Sequence, residues 1–191
     1  MAATHARAKI FWFSGLSGSG KTTWAEYVQR YLRAQGLQVC LLDGDVLRKG
    51  LNCDLGYSQQ DRKENIRRAC EMALYLHQNN ITVVAAFMTP TAAARHVIQA
   101  LLPADSLQEI YCKCSINTCE TRDPKGFYRR ARQDATQHVI GWDLPFCSPE
   151  RPAVILDTEH QSMPQNQALL RQFLARNYAR VPALDHLPSW P

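Results

Sequence analysis

The chain has 191 residues, of which 46% are hydrophobic and 20% are charged, and its formal net charge is +5. This length and composition are typical of one globular domain with a full hydrophobic core, and no apolar run reaches the roughly 18 residues that a membrane span needs. Seven cysteines without a Cys-x-x-Cys pair, and no apolar leader before the first predicted strand, lead us to expect a reduced cytoplasmic protein without a membrane partner.

Five short apolar runs predict strands, and they are Ile10–Phe13, Val39–Leu42, Ile81–Phe87, Ile110–Cys114 and Val154–Leu156. Between and after these strands lie four segments with helical spacing, which are Trp24–Gln35, Gln59–Asn79, Thr91–Leu102 and Gln165–Tyr178. This alternation predicts an α/β fold of three layers, a mostly parallel five-stranded sheet with helices on both faces. We expect one domain over residues 9–178, with an extension (1–8) before it and a loose tail (179–191) after it.

The loop after the first predicted strand matches the phosphate-binding pattern G-x-x-x-x-G-K-[S/T] over Gly15–Thr22. Its glycines let backbone N–H groups curl around a phosphate without interference from Cβ atoms. Lys21 offers a cation to the β- and γ-phosphates, and the Thr22 hydroxyl is an expected Mg²⁺ ligand. The predicted site for a nucleoside triphosphate comprises Gly15, Leu16, Ser17, Gly18, Ser19, Gly20, Lys21, Thr22 and Thr23.

Two acidic residues, Asp43 and Asp45, directly follow the second predicted strand. The carboxyl ends of parallel strands meet at one edge of a sheet, so we expect this pair to lie near the phosphate-binding loop. One carboxylate can bind Mg²⁺, directly or through water, and the other can lie near an acceptor hydroxyl. A solvated turn with a helix N-cap is the alternative.

Two basic segments follow. Arg62 and Asn65 lie three residues apart on one face of a long predicted helix, and a guanidinium binds oxyanions bidentately. The segment Arg122–Arg132 lies between the fourth and fifth predicted strands, where P-loop kinases carry a lid that closes over the nucleotide. Both segments could instead be ordinary solvated surface. Because the basic residues are scattered we expect no nucleic-acid partner, and because N-K-x-D is absent we favour a small phosphotransferase over a GTPase.

Taken together, these stretches resemble the adenylylsulfate (APS) kinase family. The chain reads like family members at Gly15–Thr23, Leu42–Asp45, Asp61–Arg68 and Arg122–Gly126, with even spacing from about Lys9 to Thr158. The phosphate-binding loop is common to many enzymes, whereas the second and third stretches are much more specific. The resemblance implies a P-loop kinase fold with a lid over about residues 122–145. It also implies phosphoryl transfer from MgATP to the 3′-hydroxyl of APS, giving PAPS and ADP.

The resemblance also implies roles for single residues. The catalytic residues are Lys21, Asp43, Asp45 and Thr89. The Mg²⁺ ligands are Thr22 and Asp43, and Arg122 and Thr158 join the loop in binding ATP. The acceptor site comprises Asp45, Arg48, Tyr57, Arg62, Asn65, Met88, Thr89, Lys125 and Val139. Family members are often dimers, so a homodimer remains open.

The chain departs from the family pattern after the third predicted strand. Where the family usually has Phe-Ile-Ser-Pro-Tyr and then Asp-Arg, this chain has Phe-Met-Thr-Pro-Thr and then Ala-Arg. Thr89 keeps a hydroxyl and Arg95 keeps the guanidinium, but Thr91 and Ala94 replace the tyrosine and the aspartate. We place Thr89 on the substrate side of the site, and direct in-line transfer requires no phosphoenzyme.

A second departure concerns the base of the acceptor. Val139 stands where the family usually has a phenylalanine that forms one face of an adenine sandwich, with Tyr57 at the other face. Loss of one ring weakens adenine binding by up to about tenfold unless Trp142 or Phe146 compensates. A related kinase for another nucleotide-linked acceptor, such as cytidine diphosphoramidate in capsule biosynthesis, is therefore an alternative. So is a non-catalytic nucleotide-binding regulator, although the retained Lys21 and acidic pair argue against it.

Overall fold

The structure, a computed structural model, describes residues 8–133 and 139–177. Within these residues one sheet is formed by β1 (Ile10–Ser14), β2 (Val39–Asp43), β3 (Thr82–Ala86), β4 (Leu107–Lys113) and β5 (Val154–Asp157). The strand order is β2-β3-β1-β4-β5, and every neighbouring pair is parallel. The predicted parallel five-stranded sheet is confirmed.

The central strand β1 is buried along its whole length. Phe11 and Phe13 belong to the hydrophobic cluster on one face of the sheet, and Ile10 and Trp12 belong to the cluster on the other. A strand covered on both faces needs apolar side chains on both, so its sequence is a continuous apolar run instead of an alternating one.

Helices cover both faces of the sheet. The described residues form helices α1 (Lys21–Ala34), α2 (Gly44–Leu47), α3 (Gln59–Gln78), α4 (Ala92–Leu101), α5 (Ile116–Arg122), α6 (Phe127–Gln133) and α7 (Met163–Asn177). Trp24 of α1 and Leu170 of α7 pack with Phe11 and Phe13. Ile66 of α3 and Ile98 of α4 belong to the cluster on the opposite face. The three-layer arrangement agrees with the prediction.

Several observed boundaries differ from the predicted ones. Helix α1 begins at Lys21 instead of Trp24, because the end of the phosphate-binding motif already forms its first turn. Strand β4 runs from Leu107 to Lys113 and therefore stops before Cys114. Helices α5 and α6 were not among the predicted helices, and α2 was expected only in the alternative that makes Asp43 a helix N-cap, since segments of four or seven residues show little helical periodicity.

Parts of the predicted organisation lie outside the described residues. These are residues 1–7 of the extension, 134–138 of the lid, and 178–191, which include the tail. The domain limits 9–178 therefore stay a prediction. Across the ranges that the structure does describe, no helix is both long enough and apolar enough to cross a membrane.

The parallel pairing brings the carboxyl ends of the strands to one edge of the sheet. Phe13 pairs with Ala86 of β3 on one side and with Ile110 of β4 on the other. The loop after β1 therefore lies between the loops that follow β3 and β4. This is the edge at which open α/β sheets bind their ligands.

Candidate active site

The loop between β1 and α1 lies tightly against the backbone beneath it. Gly15 and Gly18 have φ values of 145° and 77°. A Cβ atom on Gly15 would lie 2.6 Å from the carbonyl oxygen of Cys112, and one on Gly18 would lie 2.8 Å from that of Cys119. Both positions therefore require glycine, and the backbone of β4 and α5 sets the shape of the loop.

We expect Gly18→Ala to destabilise the protein more than Gly36→Ala. Both glycines have a φ of 77°, but a Cβ on Gly36 meets nothing within 4 Å. Left-handed backbone costs alanine about 1–2 kcal/mol at either position, and the contact with the Cys119 carbonyl adds to this cost only at Gly18. Urea unfolding measures the difference, and equal losses in the two variants would show that the loop has room for a side chain.

Lys21 lies over the loop that precedes it. Its Nζ atom donates to the carbonyl of Leu16 at 2.6 Å. Burial lowers the pKa of the Lys21 ammonium below its ordinary value, and the neighbouring Cys112 and Asp45 partly oppose this shift. A cation that has lost part of its hydration interacts more strongly with an arriving phosphate.

Asp43 serves both as a helix cap and as the partner of Thr22. Its Oδ1 atom accepts the backbone N–H groups of Asp45 and Val46, at 2.8 and 3.3 Å, at the start of α2. Its Oδ2 atom accepts the Thr22 hydroxyl at 2.8 Å. The two interpretations offered by the sequence are therefore compatible. A hydroxyl and a carboxylate side by side are hard oxygen donors, and this donor set fits Mg²⁺, which usually takes its remaining ligands from water and substrate phosphates.

Lys125, in the loop between α5 and α6, reaches Asp45 across the cleft. Its Nζ atom lies 2.5 Å from Asp45 Oδ2, and the side chains are 51% and 59% exposed. Burial lowers the pKa of Lys125, but the hydrogen bond and the negative charge of Asp45 outweigh it, so the pKa is raised overall. The predicted lid residue and the predicted catalytic carboxylate are therefore in contact, and a ligand can reach both.

One cavity of about 750 Å³ joins the phosphate-binding loop to the acidic pair and to the start of α3. The predicted site residues that line it are Ser17, Gly18, Gly20, Lys21, Thr22, Thr23, Asp43, Asp45, Arg48, Arg62, Asn65, Met88, Thr89, Arg122, Lys125 and Thr158. Most of the predicted donor and acceptor residues thus lie around the same space.

Three predicted loop residues do not line the cavity. Leu16 packs with Tyr128 beneath the loop and presents its carbonyl to Lys21. Gly15 is held by the hydrogen bond of its N–H to the carbonyl of Met88 at 3.2 Å. Ser19 is buried, and its carbonyl accepts the Thr158 hydroxyl at 3.1 Å. These residues shape the loop from below.

The predicted pair for adenine is not brought together at this cavity. Tyr57 is 61% exposed, whereas Val139 is 1% exposed and belongs to the cluster of Leu16 and Tyr128. Neither side chain lines the cavity. Their predicted contacts with the acceptor remain predictions, and the burial of Val139 gives it a clear structural role.

Two guanidinium groups lie around the Tyr57 ring. The Cζ atoms of Arg48 and Arg62 are 4.5 and 5.4 Å from the ring centroid. Arg48 donates to the carbonyls of Leu55 and Gly56, and Arg62 donates to that of Tyr57. Burial, followed by the positive charge of Arg48, lowers the pKa of Arg62. Like charges held this close favour an anionic ligand.

Asn65 and Thr89 are fixed by the protein interior. The Oδ1 atom of Asn65 accepts from the buried Asn52 amide at 2.9 Å. Thr89 is fully buried with a φ of 51°, a strained conformation for a β-branched residue. Its hydroxyl accepts from the Trp12 indole at 2.9 Å and donates to the Phe87 carbonyl at 3.5 Å. The hydroxyl that we predicted on the substrate side is therefore engaged with the core.

Arg122 and Thr158, which we predicted to bind ATP, are hydrogen-bonded to each other beside the phosphate-binding loop. Arg122 donates to the Thr158 carbonyl at 2.6 Å and to its hydroxyl at 3.3 Å. Glu159, which was not among the predicted residues, holds the start of α5 by accepting from Ser115 and Thr118 at 2.7–2.8 Å. The sequence signal that could have identified Glu159 is its position as an acidic residue just after the last strand, β5.

We expect Glu159 to make stability depend on pH in a defined direction. Hydrogen bonds from the Thr118 hydroxyl and then from Ser115 lower the pKa of Glu159 to about 2. Because the folded-state pKa lies below the unfolded one, this stabilisation is complete above about pH 5 and is lost as the pH falls toward 2. The melting temperature of the wild type should exceed that of Glu159→Gln at pH 7, and the difference should shrink below about pH 5 and vanish only below about pH 2. A constant difference across this range would exclude a role for the charge.

Five further residues that line the cavity, on or near helices α1 and α7, were not predicted. Trp24 and Glu26 lie on α1, and Gln161, Met163 and Asn166 lie at or just before the start of α7. Trp24 and Glu26 lie just after the phosphate-binding motif, so their position in the first turns of the following helix could have indicated that they face the cavity. The other three reach the cavity only because β5 pairs with β4, which no local pattern reveals.

Comparisons with known proteins identify the family of this chain. The family model described as adenylylsulphate kinase matches residues 7–157. The chain is 47% identical over 152 residues to the adenylyl-sulfate kinase of Bacillus licheniformis, covering 80% of this chain and 77% of that protein. It is 42% identical over 173 residues to that of Geotalea uraniireducens, with 91% and 83% covered.

A solved structure is also similar. The Mycobacterium tuberculosis APS kinase, in complex with AMPPNP and APS, has a TM-score of 0.79 and 38% identity, with 88% of this chain and 98% of that chain covered. The range matched by the family model includes the loop, the acidic pair and the basic helix described above. The chain therefore belongs to the adenylylsulphate kinase family.

Proposed function

We propose that this protein transfers the γ-phosphoryl group of MgATP to the 3′-hydroxyl of APS, giving PAPS and ADP. The observation that carries the proposal is the single cavity with a phosphate-binding loop at one end and paired guanidiniums at the other. A donor phosphate and an anionic acceptor can bind there at the same time. Asp45 lies between the two ends and can contact both.

On the donor side, the amides of the phosphate-binding loop and Lys21 bind the phosphate chain and stabilise the charge that spreads over the transferred group. Thr22 and Asp43 would hold Mg²⁺, which when bound neutralises the terminal phosphates. Arg122 and Thr158 close the donor end around the nucleotide. This chain therefore contributes mainly positioning and charge, which is what phosphoryl transfer requires.

On the acceptor side, Arg48 and Arg62 bind the anionic group of APS. Lys125 leaves Asp45 for the acceptor, and the freed carboxylate accepts the proton of the 3′-hydroxyl as this oxygen attacks the γ-phosphorus. The bond to the β–γ bridging oxygen breaks, and ADP leaves. Closure of the lid over about residues 122–145 excludes water, which limits transfer of the phosphoryl group to water.

A second acceptor class is favoured by one observation. Val139 is buried in the core and Tyr57 is exposed beside two guanidiniums, so these two residues do not form an adenine site at the cavity. A related kinase for another nucleotide-linked acceptor, such as cytidine diphosphoramidate, would not need that site.

Measuring ADP release with APS, with cytidine diphosphoramidate and with no acceptor distinguishes these functions. The proposed function requires strong release with APS only. Release with cytidine diphosphoramidate only would favour the second acceptor class. Absence of release with either acceptor, despite nucleotide binding, would favour a non-catalytic regulator.

Because family members are often dimers, a homodimer of this chain is also proposed. Light scattering in solution tests it, because a dimer has twice the mass of the 21.7 kDa chain. A mass of one chain at assay concentrations would argue against the dimer. The expected cytoplasmic location stays a proposal as well.

A further inference from the structure

A chain of hydrogen bonds joins the two sides of the cleft beneath its floor. The Oε1 atom of Glu109 on β4 accepts from the Ser14 hydroxyl at 2.7 Å and from Arg95 Nε at 3.3 Å. Arg95 on α4 also donates from Nη2 to the carbonyl of Thr89 at 3.0 Å. Ser14 directly precedes the phosphate-binding loop, and Thr89 lines the cavity on the acceptor side. One carboxylate and one guanidinium thus connect the donor side to the acceptor side.

The connection is largely shielded from water. The Arg95 side chain is 9% exposed and that of Glu109 is 19% exposed. Neither residue lines the cavity, so neither is placed to touch a substrate there. A buried ion pair often stabilises a fold no more than apolar residues of the same volume would. The contribution of this pair to function is therefore better judged from the backbone that it holds in place than from its contribution to stability.

The backbone that the pair holds is strained at Thr89. Thr89 has a φ of 51° and is held from below by the Trp12 indole at 2.9 Å. A β-branched residue keeps such a conformation only where its surroundings hold it in several ways. Arg95 provides one of these contacts at the Thr89 carbonyl. A further bond, from the N–H of Gly15 to the carbonyl of Met88 at 3.2 Å, ties the same segment to the phosphate-binding loop.

We propose that Glu109 and Arg95 are positioning residues for phosphoryl transfer. They fix the segment 88–90 relative to the phosphate-binding loop, and so set the separation between the donor phosphate and the acceptor hydroxyl. The proposal rests on the proposed function, since it concerns transfer between two substrates in this cleft. A displacement of about 1 Å between reacting groups can cost on the order of 10²-fold in rate.

Glu109→Gln and Arg95→Lys test the proposal. Glutamine keeps an oxygen acceptor but removes the charge beside Arg95, and lysine keeps the charge but loses the fork that reaches both partners. We expect each variant to lower kcat by about 10–100-fold and to leave the KM of both substrates within about threefold. Because both residues act through one connection, the double variant should lose no more than the worse single variant. Glu71→Gln is the control, since this exposed residue pairs with Arg67 on α3.

A readout without turnover separates failure of this inference from failure of the proposed function. The Trp12 indole N–H is buried and bonded to Thr89, so loosening of the segment should speed its hydrogen exchange, measured by NMR, in both variants but not in Glu71→Gln. Unchanged exchange would overturn the inference even if no acceptor supports turnover. Unchanged kcat in folded variants, a raised KM with normal kcat, or losses that multiply in the double variant would also overturn it.

Discussion

Replacing Lys21 with alanine should lower kcat by about 10³-fold or more. The Lys21 ammonium lies over the phosphate-binding loop, and burial lowers its pKa, so it has already lost part of its hydration before a phosphate arrives. Removing a single donor that stabilises transition-state charge typically costs on the order of 10²–10³-fold, and the ammonium carries a full charge. ADP release at saturating substrate concentrations measures the loss.

Lys49→Ala is the matched control for this substitution. Lys49 is exposed just after α2 and does not line the cavity, so its removal should leave kcat within about twofold. If Lys21→Ala kept most of the activity, the loop of this chain would not be the donor site. Equal losses in the two variants would indicate a general effect of lost positive charge.

Replacing Arg62 with alanine should raise the KM for the acceptor and leave the KM for ATP nearly unchanged. Arg62 lies beside Arg48 at the proposed acceptor end, where burial, followed by the positive charge of Arg48, lowers its pKa, and the paired positive charges favour an anion. A hydrogen bond to a charged group contributes about 1.5–3 kcal/mol, which corresponds to an increase in KM of about 10–150-fold. Initial rates at varied acceptor concentration provide the measurement.

Arg30→Ala, an exposed position on α1 that does not line the cavity, controls for the loss of an arginine. A fall in kcat with unchanged acceptor KM would assign Arg62 to the transition state and not to binding. If acceptor kinetics did not change at all in Arg62→Ala, the acceptor site would lie elsewhere.

The sequence predicted the fold well because its main signals are local. Strands β1, β2 and β5 are short apolar runs that end in a polar residue, and β1 is apolar on both faces because helices cover both. The donor loop could be located for the same reason, since its glycines, Lys21 and Thr22 are contiguous. Helices α5 and α6 were missed, and α2 was expected only in the alternative that makes Asp43 a helix N-cap, because four or seven residues carry too little periodicity.

The acceptor side was less predictable because its contacts are distant in sequence. Lys125 meets Asp45 across 80 positions, and Glu109 connects Ser14 to Arg95. No local pattern encodes such pairs, since they depend on the order of the strands. Val139 shows the converse case, in which a residue aligned with a binding position in the family lies buried in the core.

The most direct test of the proposed function follows the label from γ-³²P-ATP in the presence of APS. The proposal predicts that label appears in a product of the size and charge of PAPS, in an amount equal to the ADP formed, and that a 3′-nucleotidase removes it. Label that remains in ATP, or that appears only as inorganic phosphate while APS is unchanged, would contradict the proposed function.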